Sequence, residues 1–178
     1  HRLGEVSPST DPARMLEVVA RVSHAVGIQQ ITPEVGTALA LEATQTLLQL
    51  AEANNTLFDI GEAQDAVIAT LASDSNELRL AAAAVLGYLP QRAAQEAIAA
   101  IALDPAEAEE MRVAMFGALA RAAKLSGNNL SDESVAKIVA MAQTEENLTL
   151  RTAASGVLGA LNLSSDLGSE IIRNQYGG

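Results

Sequence analysis

A short sequence pattern that returns three times constrains the fold of this chain more than any other feature. It reads LRLAA at residues 78–82, MRVAM at 111–115 and LRTAA at 150–154. Each copy continues through small residues to an apolar–Leu–small tripeptide at 85–87, 118–120 and 157–159. A unit that returns every 33 to 39 residues with the same order of apolar, Arg and small side chains is typical of stacked helical repeats.

The composition predicts an all-α fold with an aliphatic core. Hydrophobic residues make up 49% of the 178 residues, whereas aromatic residues make up only 2%. Ala and Leu favour helix over strand, and the apolar residues recur at helical spacing. A chain of this length fits one domain. We therefore predict a flexible lead-in over residues 1–10 and a single helical domain over 11–178.

Three helix starts are predicted where an Asp or Thr is followed directly by a proline, at Asp11-Pro12, Thr32-Pro33 and Asp104-Pro105. A side-chain oxygen can cap the first turn, and a proline at the first helical position lacks an N–H that would have no partner there. Glu107 follows Asp104 with the spacing of a capping box. The predicted hairpins span approximately residues 11–53, 62–89, 91–124 and 131–161, and a terminal helix spans 166–175.

The repeated Arg lies on the second helix of each predicted hairpin, after a turn that carries Asp or Glu, and this arrangement resembles HEAT repeats. It is most similar to the short bacterial form related to the phycobilisome-lyase HEAT-like units. The match covers residues 62–161, and 11–53 resembles a degenerate capping hairpin in which Ala40 replaces the Arg. The resemblance implies an α-solenoid, or superhelix, of about four stacked hairpins that serves as a protein-binding scaffold.

The same resemblance implies a structural role for Arg79, Arg112 and Arg151. We expect them to stack along the array and to bond nearby carbonyl groups or acidic turns. A ladder of arginines that binds an anionic ligand is the functional alternative. The acidic residues that could bond to these arginines in the structural role are Asp74 or Glu77, Glu107 or Glu109, and Glu146.

A helical projection of the second helices separates a predicted buried stripe from an outward row. The stripe consists of Leu78, Ala82, Val85, Leu86 and Leu89. The partner-binding candidates on the outward row are Leu80, Tyr88, Val113, Arg121 and Thr152.

Two interpretations of this row compete. It could form a shallow groove for a partner, with Tyr88 and Arg121 as the residue types most frequent at binding hot spots. Alternatively, its small side chains could allow neighbouring helices to approach closely. Gly87, Gly156 and Gly159 favour close packing, because glycine costs a helix about 1 kcal/mol relative to alanine.

Charge and residue types argue against several classes of function. A net charge of -11 opposes binding to nucleic acid and to anionic membranes. The absence of cysteine removes thiolate chemistry, and no histidine pair offers metal-ligand spacing. Ser134 and Lys137 have Ser-x-x-Lys spacing, but the other motifs of penicillin-recognising enzymes are missing. No apolar run reaches the roughly 18 residues needed to span a bilayer, so we predict no membrane insertion, no catalytic site, no metal and no cofactor.

The sequence thus predicts a noncatalytic scaffold for protein–protein or interdomain interaction. We expect it to be a module of a larger bacterial protein, with another protein or a flanking domain of its own chain as partner. The alternative is an enzyme accessory or lyase-like HEAT protein that binds a small ligand in the concave face.

Overall fold

The computed structural model describes residues 32–53 and 59–163, and within these ranges the chain is helical without a strand. This confirms the predicted all-α class. The predicted lead-in, the helix from Asp11 and the terminal helix at 166–175 lie outside the described residues. The elements are α1 (Pro33–Glu52), a 3₁₀-helix (Ile60–Ala63), α2 (Gln64–Thr70), α3 (Asn76–Leu86), α4 (Arg92–Leu103), α5 (Glu109–Ser126), α6 (Asp132–Thr144) and α7 (Leu148–Ala160).

The helices contact one another in two series. In the first, α1 packs on α3, α3 on α5, and α5 on α7. In the second, α2 contacts α4, and α4 contacts α6. The pairs α2–α3, α4–α5 and α6–α7 connect the two series.

The core between the helices is aliphatic, as expected. All five residues of the predicted stripe on and after α3 are buried, and Phe116 of α5 is also fully buried. Each fully buried large apolar side chain stabilises the fold by about 1.5–3 kcal/mol. Most of these helices pack against more than one other helix. The stabilisation from burial therefore depends on several helices packing together.

Side-chain caps fix the start of several helices. Thr32 Oγ1 accepts a hydrogen bond from Val35 N at 3.4 Å, and α1 begins at Pro33 as predicted. Ser75, Ser131 and Asn147 cap α3, α6 and α7 in the same way. Such caps stabilise a helix by about 1 kcal/mol each.

The predicted helix start at Asp104-Pro105 is wrong, because α5 begins four residues later, at Glu109. Asp104 Oδ1 accepts a hydrogen bond from Ala106 N at 2.8 Å, which closes a turn instead of opening a helix. Glu107 does not complete a capping box, because its carboxylate pairs with Arg79. A tertiary contact therefore overrides the local capping signal.

Of the three glycines that favoured close packing of neighbouring helices, only Gly87 lies where two described helices approach closely. A Cβ on Gly87 would lie 3.1 Å from the carbonyl oxygen of Ala118 on α5, so the helices do approach closely there. A Cβ on Gly156 or Gly159 would have no neighbour within 4 Å among residues 32–53 and 59–163. Within these residues, close packing does not explain the two glycines on α7.

Candidate interaction surface

The three repeat arginines occupy equivalent positions, each as the fourth residue of its helix. Arg79 Nε donates a hydrogen bond to Leu71 O at 2.9 Å, and Arg112 Nε donates to Ala102 O at 3.0 Å. Arg151 Nη1 donates to Glu145 O at 3.4 Å. Each acceptor is a carbonyl at the end of the preceding helix. A cationic donor at this place satisfies an otherwise unpaired acceptor and interacts favourably with the helix dipole.

The remaining contacts of these arginines differ. Arg79 forms an ion pair with Glu107, which joins the α2–α3 hairpin to the segment before α5. Arg112 Nη2 lies 3.6 Å from the Met141 sulfur. Over the described ranges, no carboxylate oxygen lies within 4.0 Å of Arg112 or Arg151. Of the acidic candidates, Glu107 alone pairs with a repeat arginine there.

Glu109, another acidic candidate, has a different partner. Its Oε2 accepts a hydrogen bond from Asn147 Nδ2 at 2.7 Å, which links the start of α5 to the N-cap of α7. The acidic residues before the second helices thus contribute to contacts between hairpins, although not in the predicted pairs.

The candidate partner-binding residues lie on α3, α5 and α7, which pack side by side, except for Tyr88, which lies in the turn after α3. Leu80 is 41% exposed and Thr152 is exposed, whereas Val113 is half-buried against the core. Gly117 and Gly156, at the next outward positions, are exposed as well. We call the residues Leu80, Tyr88, Gly117, Arg121, Thr152 and Gly156 the outer row.

The two large polar groups of the outer row contact each other. The guanidinium carbon of Arg121 on α5 lies 5.2 Å from the ring centroid of Tyr88, which follows α3. This geometry is that of a cation–π interaction, which contributes about 0.5–1 kcal/mol at an exposed site. Sequence reasoning placed both residues outward but missed their contact, although their equivalent repeat positions on adjacent helices were a usable signal.

A buried polar cluster that the sequence analysis missed joins α4 to the loop after α5. Gln95 is completely buried, and its Nε2 donates to Gly127 O at 3.0 Å. Its Oε1 accepts from Asn129 N at 3.0 Å, and Asn129 Nδ2 donates to Pro90 O at 2.9 Å. The signal available in the sequence was a glutamine inside the apolar stripe from Ala94 to Ile98.

The next residue, Glu96, binds the start of α6. Its carboxylate accepts hydrogen bonds from Ser134 Oγ at 2.7 Å and from the backbone N of Ser131. Partial burial alone would raise the pKa of Glu96, but the hydrogen bonds from Ser134 and Ser131, together with the charge of Arg92, outweigh it and lower the pKa. The carboxylate therefore stays charged under conditions that would begin to protonate a free glutamate.

Ser134 and Lys137 do not act on each other in this structure. Ser134 donates to Glu96, whereas Lys137 Nζ donates to Glu133 at 2.7 Å. An open cavity of about 410 Å³ lies beside them. Its lining consists of Glu96, Ala100, Leu103, Asp104, Ser134 and Lys137.

Neither a metal centre nor a membrane span is found in the part of the chain that the structure describes. No three histidine, cysteine, aspartate or glutamate residues there are grouped so that they could hold a metal ion. None of the helices from α1 to α7 combines the length and the apolar character needed to cross a bilayer.

Comparison with known proteins gives no relative. No protein-family model matches the chain, and the searches of curated proteins and of solved structures give no match either. The residues and contacts described above are therefore the basis for assigning a function.

Proposed function

We propose that this chain is a noncatalytic interaction scaffold, built as an α-solenoid of HEAT-like hairpins. It binds a protein partner, or a flanking domain of its own chain, through the outer row. It acts as a module of a larger bacterial protein.

The contacts between helices support the repeat architecture. Arg79, Arg112 and Arg151 have the same position in their helices and the same type of carbonyl acceptor. The series α1, α3, α5 and α7 and the series α2, α4 and α6 are the neighbours expected when hairpins stack in register. In such an array each hairpin buries its apolar side against the next one.

The observation that carries the binding proposal is the contact between Tyr88 and Arg121. Leu80, eight residues before Tyr88, is an exposed apolar residue of the same outer row. Tyrosine and arginine are enriched among residues that dominate binding free energy, especially at the centre of an interface. The stacked geometry orders the guanidinium group before a partner arrives, which reduces the entropy cost of binding.

The rest of the outer row fits a docking surface of low charge. Gly117, Thr152 and Gly156 are small and uncharged, and no atom of the described part of the chain would contact a Cβ at Gly117 or Gly156. A partner backbone or an apolar side chain could therefore approach α5 and α7 closely. In a chain with a net charge of -11, such a surface avoids most of the repulsion that an acidic partner would meet elsewhere.

Site-specific photocrosslinking in a bacterial host tests the proposal. A photoreactive residue at Leu80 or Thr152 should crosslink one discrete partner, whereas the exposed control position Asp132 on α6 should not. With that partner purified, Arg121→Ala and Tyr88→Ala should each weaken binding about tenfold or more, which corresponds to about 1.4 kcal/mol. The control Lys137→Ala should leave affinity unchanged. Equal crosslinking at Asp132, or full affinity of both variants, would reject the outer row as the binding surface.

A further inference from the structure

The two ends of the outer row differ in charge. At one end the first turns of α3, α5 and α7 lie together, because Arg79 on α3 pairs with Glu107 before α5 and Glu109 on α5 accepts a hydrogen bond from Asn147 before α7. The exposed carboxylates of these first turns and of the connections before them are Asp74, Glu77, Asp104, Glu109, Glu110 and Glu146. We call this end of the row the acidic end.

The opposite end carries positive charge. The later parts of the same three helices, with the residues that directly follow them, are 83–90, 116–127 and 155–163. These stretches contain no Asp or Glu, and their only charged residues are Arg121 and Lys124, both exposed on α5. In the described ranges neither has a carboxylate oxygen within 4.0 Å. The end of α5 thus presents two cations whose charge is not neutralised by a described carboxylate.

An exposed leucine adjoins the two cations. Leu125 is 59% exposed, and it follows Arg121 by four residues and Lys124 by one. Residues three and four apart are neighbours on a helix surface, so the three side chains share one side of α5. Tyr88 contacts Arg121 from the turn after α3. We call Tyr88, Arg121, Lys124 and Leu125 the basic patch.

We propose that the partner of the outer row presents an acidic segment to the basic patch. Carboxylates of the segment pair with Arg121 and Lys124, and an apolar side chain beside them packs on Leu125 and Tyr88. The inference rests on the proposed function and adds the chemistry of the partner to it.

The contacts of the patch favour this chemistry. Arg121 lies over the ring of Tyr88, which offers it a π face and no carboxylate, so the N–H groups of the guanidinium remain available. A guanidinium forms two parallel hydrogen bonds with a carboxylate. The dipole of α5 explains one cation in the last turn, Lys124, but it explains neither Arg121 nor an exposed leucine.

Negative charge on the neighbouring helices limits where an acidic segment binds. The later part of α1, which packs on α3, carries the exposed Glu42 and Glu52. The start of α6 carries Asp132 and Glu133, and Lys137 pairs with Glu133. An acidic segment is therefore repelled by these helices and by the acidic end, and it is attracted to the end of α5.

Selection from a phage-displayed library of random peptides on the immobilised full chain tests the chemistry. We expect the selected peptides to be enriched in Asp and Glu beside an apolar residue. Non-specific attraction to a chain with a net charge of -11 would instead enrich Lys and Arg. Enrichment of Lys and Arg, or no enrichment of acidic residues, would overturn the proposal.

Matched variants locate the site with one selected peptide, whose affinity is measured by fluorescence anisotropy. Arg121→Glu should weaken binding about tenfold or more, whereas Lys137→Glu makes the same change of charge on α6 and should leave it unchanged. Leu125→Ser should also weaken binding, whereas Leu148→Ser, at a leucine that is 65% exposed at the start of α7, should not. Equal losses in the variants and their controls would overturn the proposal, and so would displacement of the peptide by an equal concentration of inorganic phosphate, which would indicate a simple anion site.

The partner captured by crosslinking separates this inference from the proposed function. A photoreactive residue at Leu125 should crosslink an acidic segment of the partner that is captured through Leu80 and Thr152, and mass spectrometry identifies that segment. A basic or uncharged segment at this position would overturn the inference and leave the outer row as the binding surface. Capture of no partner would reject the proposed function, whereas the peptide selection would still decide the chemistry of the basic patch.

Discussion

Gln95 on α4 holds the backbone of Asn129 through its amide oxygen, which accepts the Asn129 N–H at 3.0 Å across 34 residues of chain. The same side chain donates to Gly127 O at 3.0 Å. Both ends of one buried amide are thus used to fix the loop between α5 and α6. The loop carries Ser131, which caps α6, so this contact also positions the start of the last described hairpin.

Replacing Gln95 with leucine should destabilise the protein. The variant leaves the Asn129 N–H and the Gly127 carbonyl without their partner, and a buried polar group in that state costs roughly 1–3 kcal/mol. Urea denaturation followed by circular dichroism measures the free energy of unfolding. The control Gln45→Leu, at an exposed position of α1, should change it by less than about 0.5 kcal/mol. A neutral Gln95→Leu variant would contradict the role of the buried amide.

Alanine at Gly117 or Gly156 should stabilise the protein by roughly 0.5–1 kcal/mol each. Both glycines lie inside helices, and alanine loses less conformational entropy there. The new Cβ would have no neighbouring atom within 4 Å in the ranges that the structure describes. Gly87→Ala is the matched control and should destabilise, because its Cβ would press on Ala118 O at 3.1 Å. The midpoint of thermal unfolding should rise for the first two variants, and a fall would show that the space around them is filled.

Arg79→Ala should destabilise more than Arg151→Ala. Arg79 combines a 2.9 Å bond to Leu71 O with the Glu107 ion pair, whereas Arg151 has one long bond of 3.4 Å. Hydrogen bonds to charged groups contribute about 1.5–3 kcal/mol. A double-mutant cycle with Glu107→Gln should show a coupling energy between residues 79 and 107. Additive effects of the two substitutions would mean that the ion pair adds nothing to stability.

The pKa of Glu96 predicts a pH dependence of stability. Because folding lowers this pKa below its ordinary value of 4.5, the charged carboxylate stabilises the folded state above that pH. The contribution disappears as the pH falls through the folded-state pKa and both states become protonated.

Glu96→Gln should therefore cost stability at neutral pH and progressively less at acidic pH. Unfolding by urea, measured between about pH 7 and pH 3, gives the difference from the parent chain at each pH. Ser134→Ala removes one hydrogen-bond donor to the Glu96 carboxylate. In this variant the stability should therefore fall less between neutral and acidic pH than it does in the parent chain. A difference between the parent and Glu96→Gln that stays constant over this range would refute the assignment.

The helical class and the buried side of α3 follow from the residue pattern alone. The spacing of Leu78, Ala82 and Val85 was sufficient, because an α-helix brings residues three and four apart onto one face. Thr32-Pro33 correctly predicted where α1 begins, because the Thr32 side chain caps the first turn. The same type of signal at Asp104-Pro105 failed, because Glu107 pairs with Arg79 instead of completing the cap.

Contacts between residues that are far apart in the chain depend on how the helices pack, and the local sequence pattern does not predict them. Glu107 pairs with Arg79, 28 residues earlier in the chain, instead of capping a helix as predicted. Tyr88 lies against Arg121. A Cβ on Gly87 would lie against a backbone carbonyl of α5, whereas a Cβ on Gly159, the equivalent position after the repeat arginine, would contact no atom of the described residues. The residue pattern is the same at both glycines. The difference comes from how the described helices pack and not from the local sequence.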